Sequence, residues 1–72
     1  MSTPHLERIK ARTLGLVEEL KRRKVIDLGE AALIAGYSYW YFRFYVTRGL
    51  MMLYPNCIKI EKHALHWVCE EK

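Results

Sequence analysis

The sequence predicts a small, mainly helical domain that carries one short β-hairpin. Three observations predict it. The chain has 72 residues, room for a single domain with a marginal core. Half of it is hydrophobic, too much for a disordered chain. Apolar residues recur at helical spacing over the first third, whereas the short β-branched runs come later.

The first helix is expected from Thr3 to Lys24. Thr3 suits the cap, and Pro4 suits the first helical position, where its missing N–H costs nothing. Leu6, Ile9, Thr13, Leu16 and Leu20 recur at spacings of three and four, with Val17 alongside, and form one amphipathic stripe. Glu18–Arg22 and Glu19–Arg23 are i,i+4 pairs in the favourable order. Val25 to Leu28 reads as a strand-like entry to a short alanine-rich helix, Glu30 to Ala35, which Gly36 ends. Ser38 then caps a third helix, expected to run from Tyr39 to Arg48 and to stop at Gly49. Leu50–Tyr54 and Cys57–Ile60 flank a Pro55-Asn56 turn signal and are expected to pair as a hairpin. Glu61 to Cys69 is read as a terminal helix. The expected core is Leu16, Val17, Leu20, Ile26, Leu28, Ala31, Leu33, Ile34, Phe42, Tyr45, Val46, Ile58, Ile60, Leu65 and Val68.

Charge is unevenly placed. The net charge is +4, and residues 1–24 carry all of it: seven Lys/Arg (Arg8, Lys10, Arg12, Lys21, Arg22, Arg23, Lys24) against Glu7, Glu18 and Glu19. Such a basic patch is the footprint of a polyanion partner, although cations at a helix end also complement its dipole. No apolar run is long enough for a membrane helix, and Met1–His5 lacks signal-peptide character, so an intracellular, cytoplasmic location is expected. The absence of Gln and the single Asn hint at a thermophilic source.

Catalytic and metal chemistry find little footing. The acids Asp27, Glu30 and Glu61 are scattered, no phosphate-binding glycine motif is present, and no enzymatic activity or cofactor is expected. Asp27 and Glu30 fit better near a helix N-terminus. Cys57, His63, His66 and Cys69 fall within thirteen residues, but no Cys-x-x-Cys pair supports zinc, and on one helix His63 and Cys69 would diverge. The plainer reading is two free thiols, with a Cys57–Cys69 bridge less improbable in a thermophile, and two surface histidines.

Glu30-Ala31-Ala32-Leu33-Ile34-Ala35-Gly36-Tyr37-Ser38 has the chemistry of two helices crossing closely through a glycine turn. The wider pattern adds Leu28, Phe42, Val46, Arg48-Gly49-Leu50, Ile58, Ile60, Ala64-Leu65 and Trp67. It resembles the excisionase- and MerR-like branch of winged helix-turn-helix proteins over residues 25–69, with the basic helix 1–24 outside it. The resemblance implies a recognition helix in the DNA major groove and a wing on the phosphates. Two features depart from that family. The stretch matching the wing, Leu50 to Ile60, is short and leaves only Lys59 and Lys62 near it. The expected recognition helix also presents Tyr39, Trp40, Tyr41, Arg43, Phe44 and Thr47, whereas duplex DNA is usually read by Arg, Lys, Asn, Gln and Ser.

These rings belong to the core, or stack on unpaired bases, or dock a protein. The expected binding residues are Lys21, Arg22, Arg23, Lys24, Ser38, Tyr39, Trp40, Tyr41, Arg43, Phe44, Arg48, Lys59 and Lys62. The expected partner is DNA, duplex or single-stranded, bound by a small regulator, recombination directionality factor or chromatin-associated protein. The alternative is an accessory subunit docking on a DNA-processing enzyme such as a polymerase. No membrane partner is expected, and a homodimer through the first helix and a monomer are equally consistent with the sequence.

Overall fold

The computed structural model describes residues 4–69. The elements are α1 (Pro4–Arg12), α2 (Leu14–Arg23), β1 (Val25–Asp27), α3 (Leu28–Ala35), α4 (Tyr39–Tyr41), a π-helical turn (Phe42–Val46), α5 (Thr47–Leu53), β2 (Ile58–Glu61) and β3 (Ala64–Trp67). Pro4 opens α1 as expected; the proposed Thr3 cap lies outside the described residues.

The expected helix over 3–24 is two helices that meet at Thr13. Thr13 is fully buried, and its hydroxyl donates to the Ile9 carbonyl at 2.7 Å. A buried hydroxyl in a helix needs an acceptor, and taking the i−4 carbonyl bends the helix. Backbone bonds Thr13 N–H to Ile9 O (3.0 Å) and Val17 N–H to Thr13 O (2.9 Å) still span the joint. The predicted stripe is buried at Ile9, Thr13, Leu16, Val17 and Leu20. Lys24 closes α2 in the left-handed region at φ 74°, its N–H bonded to Leu20 O.

The segment from β1 to Ser38 follows its local signals. The Asp27 carboxylate accepts from the N–H groups of Gly29 (3.0 Å) and Glu30 (3.3 Å), capping α3. Gly36 stands at φ 77°, with Gly36 N–H on Leu33 O and Tyr37 N–H on Ala32 O. That bond pair is the Schellman closure, and it requires a backbone conformation that a side chain disfavours. Ser38 Oγ accepts from Tyr41 N–H at 3.4 Å and caps the next helix.

That helix does not stop at Gly49. It runs on to Leu53 through the π-helical turn. Gly49 is there for close packing: a Cβ on it would lie 2.7 Å from Ile9 Cδ1. Pro55 lies just beyond the helix end, where the residue before a proline is pushed out of the helical region.

The hairpin is therefore not Leu50–Tyr54 with Cys57–Ile60, and Glu61 to Cys69 is not a helix. β2 pairs with β3 (Ile58↔Trp67, Ile60↔Leu65, Glu61↔Ala64), and β1 pairs with the other edge of β3 (Ile26↔Leu65). The sheet is antiparallel in the order β1-β3-β2. Lys62 and His63, both at positive φ (53° and 61°), form the two-residue turn. Two positive φ values suit the right-handed twist of a hairpin. The register brings the chain on either side of the hairpin together, and Cys57 and Cys69 form a disulfide with Cα atoms 4.5 Å apart. The cysteines are thus paired rather than free.

The core unites Ile9, Leu16, Val17, Leu20, Ile26, Leu28, Phe42, Val46, Leu50, Ile58, Leu65 and Trp67 with the three α3 alanines. Four expected members lie outside it: Leu33 (80 % exposed), Ile34, Tyr45 and Val68. In α3 the inward face is Leu28 with Ala31, Ala32 and Ala35, the three alanines letting α3 approach its neighbours, and Leu33 and Ile34 fall on the outer face. Tyr45 sits in the π-helical turn, whose inward positions are Phe42 and Val46. Val68 lies just past the end of β3, whose inward residues are Leu65 and Trp67. Ile60 is half-buried against the core.

Candidate nucleic-acid interface

From Ala31 to Ile60 the chain contains no Asp or Glu; its only charged side chains are Arg43, Arg48 and Lys59. The turn after α3 and the whole of helix 39–53 therefore offer no carboxylate to a partner.

Arg43 lies at the centre of one aromatic group. Its guanidinium is 5.4 Å from the Phe44 ring centroid, 5.8 Å from Trp40 and 6.0 Å from Tyr39. It also donates to the Tyr39 hydroxyl at 3.4 Å. Trp40 and Phe44, four apart on the helix, lie nearly parallel (9°) with centroids 5.8 Å apart, and Tyr39 meets Trp40 edge-on. Trp40 is 63 % exposed and Phe44 48 %. A cation held among ring faces is favoured by their quadrupoles.

A second aromatic row runs beside the turn. Tyr37 stacks on Tyr41 (5.6 Å), and Tyr41 lies against Tyr45 (5.3 Å). Arg12 of α1 caps the row, 4.2 Å over Tyr37, and its Nη2 donates to Gly36 O at 2.5 Å. The core accounts for only part of the rings: Phe42 is buried, Tyr37, Tyr39 and Tyr54 are half-buried against the core, and Trp40, Tyr41, Phe44 and Tyr45 are exposed.

The expected binding residues divide. Ser38, Tyr39, Trp40, Tyr41, Arg43 and Phe44 share the first two turns of helix 39–53, and Arg48 is exposed further along it. Lys59 and Lys62 lie on β2 and its turn, outside the ring contacts around Arg43. The cluster Lys21 to Lys24 is largely compensated. Lys21 faces Glu18 at 3.8 Å and lies over the Trp67 ring, and Arg22 pairs with Glu19. Arg23 holds Glu30 through two hydrogen bonds of 2.6 and 3.0 Å and reaches Glu19 at 3.7 Å. The Arg23 bonds lower the Glu30 pKa below the ordinary carboxylate value and raise that of Arg23. Of the predicted i,i+4 pairs Glu19–Arg23 forms; Arg22 turns to Glu19 instead of Glu18.

Arg8 and Arg12 were visible only as part of the basic excess. They line a recess of about 340 Å³ with His5, Ser38 and Tyr41. Their i,i+4 spacing placed them on one face of α1; the sequence held no sign that this face meets the turn. Among the described residues no group of three or more His, Cys, Asp or Glu is placed to hold a metal ion. None of their helices is long and apolar enough to cross a membrane. No family model, curated protein or solved structure matches the chain.

Proposed function

We propose that the chain is a winged helix-turn-helix domain that binds DNA through helix 39–53. The element order supports the fold: helices, β1, α3, a glycine turn, a second helix, then two strands in the sheet order β1-β3-β2. α3 and helix 39–53 are then the helix-turn-helix pair, and the Lys62-His63 turn is a minimal wing. The observation that carries the functional reading is the outward face of helix 39–53. It sets Arg43 among exposed rings, within a stretch of chain that has no carboxylate.

In this reading the first turns of helix 39–53 enter the groove, as recognition helices do. Arg43 and Arg48 meet phosphates, with Lys59 and Lys62 of the wing beside them. Trp40 and Phe44 contact thymine methyls in a duplex or stack on bases where strands are open. The basic end of α2 plays a smaller part than its sequence suggests, because its charge is spent on Glu18, Glu19 and Glu30.

The test is fluorescence anisotropy of labelled duplex and single-stranded DNA at several salt concentrations. Binding should weaken steeply with salt, and Arg43→Ala should lower both affinity and slope. Absence of binding by the unaltered protein at low salt would overturn the proposal. One observation favours a protein-docking alternative: Leu33, Tyr45 and Met52 are also exposed (80, 60 and 66 %), apolar surface beyond what phosphate contact needs. Trp40→Ala separates the two readings, since loss of a bound protein with DNA affinity intact selects docking.

A further inference from the structure

We infer that the recess between α1 and the Gly36–Ser38 turn is a phosphate seat, formed by Arg8 and Arg12. This inference rests on the nucleic-acid reading above and names a contact outside helix 39–53 and the wing. Arg8 and Arg12 are one helical turn apart on the same face of α1, and both line the recess. Like charges at i,i+4 repel, and an anion between them would relieve that repulsion. No carboxylate is among the lining residues.

The two arginines are prepared differently. Arg12 is already engaged: it donates to Gly36 O, and its guanidinium carbon lies 4.2 Å from the Tyr37 ring centroid. A guanidinium has five donors, so most remain available in a defined plane. Arg8 is exposed and, among the described residues, has no ion pair or hydrogen bond that would occupy it. A tetrahedral oxyanion suits this arrangement, because two guanidiniums can share its oxygens through charge-assisted bonds. His5 and the Ser38 hydroxyl supply further polar lining, and Tyr41 forms part of the wall. The ligand chemistry is therefore a phosphate group, either a phosphodiester of a strand lying along helix 39–53 or a free phosphate.

The experiment compares unaltered protein with Arg8→Ala, Arg8→Lys and the control Arg22→Ala, by anisotropy on labelled duplex and single-stranded DNA across a salt series. Arg8 makes no hydrogen bond or ion pair among the described residues, and a thermal melt checks that the variant is folded. Arg8→Ala should weaken binding roughly tenfold or more and flatten the salt slope by about one unit, as for one lost phosphate contact. Arg8→Lys should keep the slope while losing part of the affinity, because it keeps the charge and loses the fork. Arg22→Ala should change both by less than Arg8→Ala does, because Glu19 already pairs with Arg22. If the protein binds DNA but Arg8→Ala matches it in affinity and slope, the seat is overturned and the DNA-binding proposal stands. If no DNA binds, that proposal falls, and inorganic phosphate titrated against backbone amide NMR signals decides the seat. Saturable shifts at Gly36 to Tyr41 that vanish in Arg8→Ala keep it as a free-phosphate site, and their absence overturns it.

Discussion

The packing of α1 on α5 turns on one glycine, and a two-residue substitution cycle tests it. A Cβ at Gly49 would lie 2.7 Å from Ile9 Cδ1, closer than carbon atoms approach, while Ile9 is only 2 % exposed and has little room to yield. Gly49→Ala therefore sets two effects against each other. Replacing a helical glycine by alanine gains about 1 kcal/mol of helix propensity. Forcing a methyl into a packed site costs about 1–3 kcal/mol. A net loss of about 1 kcal/mol is expected. Ile9→Val removes the Cδ1 atom responsible, at a cost of about 1 kcal/mol by itself. With that atom gone, the next neighbours of the new methyl are Ile9 Cγ2 at 3.5 Å and Leu6 Cδ2 at 3.6 Å, ordinary contacts. In the Ile9→Val background Gly49→Ala should then stabilise by up to about 1 kcal/mol. The assay is urea unfolding followed by helical circular dichroism for the four proteins, with the slope checked for constancy. The reasoning is refuted if Gly49→Ala stabilises the unaltered protein, or if the two substitutions add within about 0.5 kcal/mol.

Three further outcomes are expected. Reducing the Cys57–Cys69 disulfide, whose partners are twelve apart in sequence, should cost about 3 kcal/mol by loop-closure entropy. A melting temperature unmoved by a phosphine reductant would contradict this. Lys62→Asn with His63→Gly should raise the melting temperature, because both positions hold positive φ that Lys and His disfavour; a decrease would show that these side chains hold the turn by some other contact. The Arg23–Glu30 bridge should make stability fall in acid: the folded carboxyl titrates below its unfolded value, so its contribution is present above the ordinary carboxylate range and is lost as pH falls through the lowered value. Glu30→Gln should reduce that acid dependence, and an unchanged pH profile would show that the exposed bridge is screened by solvent.

The parts of the fold that were legible are those whose signals are local. Asp27, Gly36 and Ser38 each act within four residues of themselves, and each forms the cap or closure its type suggests. What was not legible depended on distant partners. Gly49 looks like a helix stop until Ile9 is seen beside it. Ala64 to Trp67 carries too short an alternation to distinguish strand from helix, and its turn lacks the Asn or Gly that marks a hairpin. Pro55-Asn56 does mark a turn, but one that follows a helix and not one inside a hairpin. At the candidate site the rings were legible as a group, whereas the charges were not. Lys21 to Lys24 is the densest basic run in the sequence, yet Glu30, six residues or more away, takes up Arg23.

That redistribution of charge bears on function more than any single motif. A basic run whose cations face Glu18, Glu19 and Glu30 contributes little field at a distance, because each pair is close to neutral beyond its own length. Of that run Lys24 alone forms no ion pair among the described residues, and elsewhere Arg8 and Arg12 on α1, and Arg43 and Arg48 on helix 39–53, are likewise without a carboxylate partner among them. Arg12 ties α1 to the turn that begins this helix, which brings the two groups side by side. The core, meanwhile, closes without Leu33, Trp40, Phe44 or Tyr45. Stability does not explain why such large apolar side chains stand in water; the contact surface proposed above would. If the same face carries both features, rings and arginines must act on one partner. Arg8→Ala and Trp40→Ala should then weaken the same complex. Effects on different complexes would divide the surface in two.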